Sequence, residues 1–421
     1  MEKRIGILGN VDSGKSTIIG VIKNNILDNG RGLARSSILK HPHEKASGRT
    51  SSITHHYLTS SDINNTNTIE NTMENTMENT RTNNCNLTFI DLAGHEKYYK
   101  TTIHGVNTCS LDYIVLMIGS NMGVSRMTIE HLTLILILKI PFIVVFSKID
   151  MCPENIFNQS MKDLINLLEK YKVTKKLVEM NSKHITEQNY DFHNKKIIPY
   201  FKISNISGQN IDLFKNYLSN IDLIYDWNIL KNESKFAIIE DTYSVNGVGL
   251  VLSVTVTSGT IHKNDRIMCG PFNGIFVEIQ VKSLHNNFRE LVDFLEAGKS
   301  GCINIKCAEK KTILKRNHFK RGLICLDKNN SRHLYKEFEA KIKILHHPTT
   351  IKKNYESIIH CGSIKQVAKI IDIDKDLLRT GDQSIVKFRF KKNAEFLQNN
   401  TQIIFREGKT KGIGYITQLI E

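Results

Sequence analysis

The sequence contains no CxxC pair. Its eight cysteines are scattered, and the closest two, Cys302 and Cys307, lack the spacing of a zinc knuckle. A long apolar run is also missing. The longest, Leu132 to Phe146, is broken by Lys139 and Pro141, too short and too interrupted to span a bilayer. It reads as a helix ending near Leu138 and a buried strand from Phe142 to Phe146. No secretory leader is expected, because Met1-Glu2-Lys3-Arg4 runs directly into a strand-like stretch. Free thiols in a reducing, cytoplasmic setting, with no membrane contact, are the expectation. Acidic residues are the scarcer charge, 42 Asp and Glu against 57 Lys and Arg, for a formal net charge of +15. Such an excess attracts polyanions, so nucleic acid or a ribosomal surface is a candidate partner class.

What is present suits a globular protein of several domains. The chain has 421 residues, 40% hydrophobic and 24% charged, too many for one core. The first half alternates strand candidates (Arg4–Leu8, Leu87–Ile90, Tyr113–Ile118, Phe142–Phe146, Tyr200–Ile203) with helical segments (Lys15–Lys23, Ile129–Leu138, Phe157–Tyr171). That alternation predicts a mostly parallel sheet with helices on both faces. Thr59 to Asn86 interrupts it with an Asn- and Thr-rich stretch that repeats Glu-Asn-Thr-Met between Glu70 and Thr80. Such a segment buries too little apolar area to offset its ordering entropy, and a disordered insertion is expected. After about Lys231 short β-rich runs with Gly turns take over. Val248–Val256, Arg266–Cys269, Phe276–Ser283, Gly301–Lys306 and Leu323–Leu326 predict one barrel. Glu337–Leu345, Ser363–Ile373, Gln383–Phe390 and Gln402–Arg406 predict another. The expected division is an α/β domain over residues 1–230 with 59–86 inserted, and all-β barrel domains over 231–331 and 332–421. The Asn- and Ile-rich texture would suit an AT-rich genome, such as that of a large DNA virus.

Three motifs carry chemistry. Gly9-Asn10-Val11-Asp12-Ser13-Gly14-Lys15-Ser16, followed by Thr17, matches GxxxxGKS between an apolar strand and a helix. Its turn points successive backbone N–H groups inward as an anion nest, and the helix N-terminus adds a positive dipole end. Lys15 is then expected on the β- and γ-phosphates and the Ser16 hydroxyl on magnesium. Asp91-Leu92-Ala93-Gly94-His95 follows a strand end. The Asp91 carboxylate there can hold magnesium through water, and the Gly94 N–H can meet a γ-phosphate and lose that contact on hydrolysis. Ser147-Lys148-Ile149-Asp150 closes the Phe142–Phe146 strand. A carboxylate at 150 can accept both N1–H and N2–H of guanine, donors that adenine lacks. A polar loop with a helix cap at Asp150 is the alternative. The common form is NKxD, so Ser147 alters a supporting hydrogen bond. Ser204-Asn205, after the next strand, would bring a backbone N–H to the guanine carbonyl. GTP or GDP with Mg2+ is therefore the expected ligand.

In these motifs the chain resembles the translational GTPases of the elongation factor Tu and elongation factor 1-alpha type, most closely the GTP-binding protein 1 and 2 group. The marks are Asp28-Asn29-Gly30-Arg31-Gly32, Ser47 to Ser52, Asp91 to Tyr98, Lys148 to Pro153, Asp241 to Val245, His346 to Thr350, His360 to Ser363 and Phe405 to Gly408. The resemblance implies a P-loop GTPase domain followed by two β-barrels. It implies that Glu44–Thr50 is the first switch loop, with Thr50 meeting magnesium and the γ-phosphate. It implies that His95 is the catalytic residue that positions the attacking water. From its residue type alone, a solvated loop histidine is the lesser alternative for His95. Arg49 departs from the pattern, because elongation factor Tu has an aliphatic residue there, half of a hydrophobic gate whose other half matches Val11.

In the barrels, Lys306, Lys310, Lys311, Lys315, Arg316, Lys320 and Arg321 form a basic run, either a solvated edge or a contact for RNA phosphates. His346, His347, His360 and Cys361 fit no standard metal spacing. The resemblance implies a monomer acting with ribosome or tRNA, with activation by the ribosome or a nucleotide exchange factor. A GTPase acting outside translation, or a slow-turnover GTP-dependent binding module, remain the alternatives.

Overall fold

The computed structural model describes residues 2–39, 44, 50, 52–59, 86–181, 196–308, 315–330, 332–407 and 410–420. The chain divides into two compact units. One comprises Met1–Gly105 and Leu111–Tyr225, the other Val106–Ser110 and Asp226–Glu421.

The first unit is built on a seven-stranded sheet. Its strands are β1 (Glu2–Gly9), β2 (Thr54–Leu58), β3 (Asn86–Asp91), β4 (Tyr113–Gly119), β5 (Phe142–Ser147), β6 (Lys176–Glu179) and β7 (Ile197–Lys202), in the order β2-β3-β1-β4-β5-β7-β6. All neighbours pair in parallel except β2 with β3. Every residue of β1, β4 and β5 is buried, as expected of parallel strands covered on both faces. The helices are α1 (Lys15–Asn24), α2 (Leu33–Ser36), α3 (Tyr99–Thr108), α4 (Arg126–Leu138), α5 (Glu154–Lys170) and α6 (Ile211–Asn220). None of the described helices is long and apolar enough to cross a membrane.

Several expected boundaries shift. The helix expected at Ile129 begins one turn earlier, because the Ser125 hydroxyl accepts from Thr128 N–H at 3.2 Å and caps it. The helix expected at Phe157 begins at Glu154, directly after Pro153, since its first turn is exposed and shows no apolar period. The strand expected over Tyr200–Ile203 runs Ile197–Lys202 instead. Pro199 sits within the strand, opposite Val178 of β6. The antiparallel pair β2–β3 brackets the expected insertion, and Asn86 already belongs to β3. Residues 60–85 lie outside the described residues.

The second unit begins with a short helix, α7 (Trp227–Leu230), and is otherwise β. Strands β8 (Phe236–Val245), β9 (Gly249–Ser258), β10 (Thr260–His262), β11 (Arg266–Phe272), β12 (Ile275–Asn286), β13 (Leu291–Val292), β14 (Phe294–Glu296), β15 (Ser300–Cys307) and β16 (Ile324–Asp327) come first. Six close into a barrel, β11-β16-β8-β9-β15-β12, because β12 pairs back onto β11; β13 extends β12, and β10 pairs with β14. A second closed barrel, β17-β20-β19-β18-β21-β22, uses β17 (Glu337–His346), β18 (Glu356–Cys361), β19 (Ile364–Ile373), β20 (Gln383–Phe390), β21 (Gln402–Glu407) and β22 (Thr410–Ile420). Alternation dictates its interior. Phe338, Ala340, Ile342 and Ile344 of β17 face Val386, Phe388 and Phe390 of β20 in one buried cluster. His346 ends β17, while His360 and Cys361 are strand residues of β18.

Candidate functional site

Parallel pairing brings the motifs to one edge. Ile7 of β1 pairs with Asp91 of β3, Gly9 with Met117 of β4, Gly119 of β4 with Ser147 of β5, and Phe146 with Lys202 of β7. The loops after β1, β3, β5 and β7 therefore emerge together at the carboxyl ends of the strands, where open α/β sheets bind ligands.

The phosphate loop is folded around one carbonyl. Asn10 O accepts from Ser13 N–H at 3.4 Å, Ser13 Oγ at 2.9 Å and Lys15 Nζ at 2.6 Å. Val11 N–H donates to Asn10 Oδ1 at 2.8 Å, and Asp12 and Gly14 take positive φ, which opens the turn before α1. Thr17 continues that helix. Burial lowers the Lys15 amine to about 8, opposed by the charges of Asp91 and Asp12. A cation desolvated in this way favours a site that an anion fills.

Three oxygens from distant positions meet beside it. Ser16 Oγ donates to Asp91 Oδ2 at 2.6 Å, Thr50 Oγ1 lies 3.0 Å from the same oxygen, and the two hydroxyls are 2.9 Å apart. Asp91 Oδ1 is buried and has no hydrogen-bond partner. Burial pushes the Asp91 carboxyl up, against the Ser16 hydrogen bond and the Lys15 charge. An all-oxygen donor set suits a hard divalent cation. Octahedral magnesium, with ligands at about 2.1 Å, sets neighbouring oxygens about 3 Å apart, close to the Ser16–Thr50 separation. The donor set and the orphaned carboxylate oxygen therefore fit Mg2+.

Leu92 and Ala93 are buried, and the Ala93 carbonyl accepts from Thr102 Oγ1 at 2.7 Å, so only backbone groups of this stretch are open to a ligand. Gly94 lies directly against the phosphate loop. A Cβ there would stand 2.5 Å from Gly9 O and collide with Lys15 Nζ. Gly94→Ala is accordingly expected to weaken GTP binding by roughly tenfold in equilibrium titration, because the loop or Lys15 must shift. His95 is half-buried. It caps the short turn Glu96–Tyr98, and its Nδ1 accepts from Lys97 N–H at 3.1 Å.

On the other side, Ser147 is fully buried and its Oγ donates to Ser13 O at 2.8 Å, tying β5 to the phosphate loop. Lys148 takes positive φ. Asp150 sits exposed in the turn Ile149–Met151, which Ile149 N–H fastens to Ile203 O at 3.3 Å. The helix-cap alternative for Asp150 is excluded: Pro153 precedes α5, and no side chain caps the 149–151 turn. Ser204 Oγ accepts from Ile206 and Ser207 N–H at 3.2 and 3.1 Å, and Asn205 is buried next to it. The expected residues of all three motifs thus converge. Arg49 lies outside the described residues, as do Lys310 and Lys311.

Two contributors had no role read from their spacing. Asp28 donates its N–H to Asn205 O at 2.8 Å, while its carboxylate accepts from Gly30, Gly32 and Ala34 N–H, so the loop after α1 braces the loop after β7. The one signal was its place among the resemblance marks. Glu44 is buried, and its Oε1 accepts from Ser52 N–H and Oγ. In the first barrel Lys315, Arg316 and Arg321 of the basic run line a cavity of about 670 Å³ with Asp241, Thr242 and Phe319; Lys306 and Lys320 do not. Arg316 Nε donates to Thr242 O at 2.9 Å, and Arg321 pairs with Asp241 at 3.0 Å.

Comparison with known proteins agrees with this geometry. Residues 2–268 match the family described as the elongation factor Tu GTP binding domain. The whole chain is 41% identical to GTP-binding protein 1 of Xenopus laevis, of which it spans 64%, and 34% identical to GTP-binding protein 2 of Homo sapiens, of which it spans 69%. In fold it is similar to the GTP-bound GTPase-like domain of S. cerevisiae Ski7, at a TM-score of 0.73, with 15% identity and coverage of 99% of this chain and 97% of that one. A bacterial selenocysteine-specific elongation factor follows at a TM-score of 0.70, with 22% identity, covering 99% of this chain and 58% of that one. The chain belongs to the elongation factor Tu GTP-binding-domain family, within the translational GTPase superfamily.

Proposed function

We propose that the protein hydrolyses GTP to GDP and phosphate as a conformational switch, in the manner of an elongation factor acting with ribosome and tRNA. The observation that carries the switch is the convergence of Ser16, Thr50 and Asp91. Thr50 comes from the expected first switch loop, and its only described hydroxyl partners are the phosphate-loop serine and the strand-end aspartate. Loss of the γ-phosphate would release Thr50 and Gly94 together.

In this reading the nest from Gly9 to Gly14, with Lys15, binds and orients the phosphates, and Asp150 with the backbone at Ser204 and Asn205 selects guanine. Magnesium, held by Ser16 and Thr50 with Asp91 behind a water, would neutralise phosphate charge when bound. His95 orients the attacking water. Little covalent chemistry is required of the protein, because positioning and charge stabilisation carry phosphoryl transfer.

The translational setting is supported by the relatives named as elongation factors, by the two barrels and by the basic cavity at Lys315, Arg316 and Arg321. The test is co-sedimentation with ribosomes in a non-hydrolysable GTP analogue and in GDP. Association with the analogue alone is the expected result. Equal or absent association in both would remove the ribosome from the proposal and leave a GTPase acting elsewhere.

A further inference from the structure

Ser147 stands where the common guanine-selecting element has asparagine, and its single proton is already committed. Its Oγ lies 2.8 Å from Ser13 O and 3.5 Å from Ile118 O, both acceptors. A serine hydroxyl donates once, so position 147 has no donor left for a base.

An amide occupies the adjoining space. A Cβ built on Gly14 would stand 3.3 Å from Asn205 Nδ2 and 3.6 Å from Ser147 Oγ. Asn205 is 7% exposed, and its Oδ1 is buried with no partner. Its side chain is held by no hydrogen bond of its own among the described residues. The backbone does the holding instead: Asp28 N–H donates to Asn205 O, and the preceding Ser204 closes its turn onto Ile206 and Ser207. The Nδ2 of this carboxamide, set against Gly14, is a donor with no partner among the described residues, and an acceptor edge of a ligand would complete it.

We propose that Asn205 supplies the amide that position 147 lacks: its side chain donates to the imidazole edge of guanine, where N7 and O6 are both acceptors. Ser147 keeps the tie to the phosphate loop, and Asp150 takes the opposite edge. Hydroxyl and amide form a transposed pair across the ends of β5 and β7. This rests on the guanine-nucleotide reading above and adds to it a side chain that positions the base.

The experiment is equilibrium binding of ribose-labelled fluorescent GDP to the full chain, with melting of the nucleotide-free protein alongside. Asn205→Ala should bind about five- to tenfold more weakly, the worth of one hydrogen bond. Its nucleotide-free melting midpoint should stay level or rise, because an unpaired buried acceptor has been removed. Competition by inorganic triphosphate, which has no base, should be the same in both proteins. Ser147→Asn alone should also weaken binding, since two amides then compete for one space. The double variant Ser147→Asn with Asn205→Ala restores the common arrangement and should bind within about twofold of the parent. The assignment is overturned if Asn205→Ala binds GDP like the parent, if it loses triphosphate as much as GDP, or if the double variant is no better than Asn205→Ala. A parent that binds no labelled GDP would overturn the guanine reading itself.

Discussion

Asp150→Asn should lower GTP affinity by about a thousandfold and make xanthosine triphosphate the preferred ligand, as for a site built around a hydrogen-bonded pair that the substrate no longer completes. Asp150 is exposed in a turn fastened to the end of β7, it caps no helix, and it makes no hydrogen bond or ion pair among the described residues. Its carboxylate is therefore available for the N1–H and N2–H donors of guanine, a charge-assisted bidentate pair. Xanthine has a carbonyl where guanine has its amino group, and that carbonyl needs a donor, which asparagine supplies. Competition of GTP and xanthosine triphosphate against labelled GDP in the parent, and against labelled xanthosine diphosphate in the variant, measures the switch. Unchanged GTP affinity would show that Asp150 does not read the base.

His95→Ala should slow ribosome-stimulated single-turnover hydrolysis by about a hundred- to ten-thousandfold while leaving GTP affinity within about twofold. The hydrogen bond from Lys97 N–H defines how this side chain acts. With Nδ1 accepting from a backbone N–H, the ring presents its Nε2–H as a donor. Nε2–H can donate to a water oxygen but cannot remove the water's proton, so the role proposed for His95 is to orient the nucleophile. His95→Gln keeps an N–H donor and should retain more activity than His95→Ala. Equal rates in parent and His95→Ala would remove this side chain from the mechanism.

Much of the fold was legible because burial patterns are periodic. The continuous apolar runs Tyr113–Ile118 and Phe142–Phe146 are central parallel strands, and the alternating run at Gln383–Phe390 is a barrel strand with these same bounds. Elements without such a pattern were not marked. β2 is Thr-His-His-Tyr-Leu, an edge strand whose pairing with β3 is decided by the sheet. β8 and β18 are strands because barrel closure requires partners for their neighbours. β7 starts at Ile197, before Pro199, because Ile197 to Tyr200 pair with β6; β5 joins only from Tyr200 onward.

The sequence by itself determined the chemistry of the site. A phosphate loop, a strand-end aspartate with its glycine, and a carboxylate after β5 each depend on residue types at short fixed spacing, and local backbone geometry reads them out. Only the tertiary structure decided which side chains complete them. Ser16 meets Thr50 and Asp91 across 34 and 75 positions, and Ser147 reaches Ser13 across 134. No local signal encodes a contact over such a separation; the strand order that brings four loop ends to one edge does. That is why Ser147 reads from the sequence as a departure from the common form, whereas in the folded chain it stands beside an unpaired Asn205 amide.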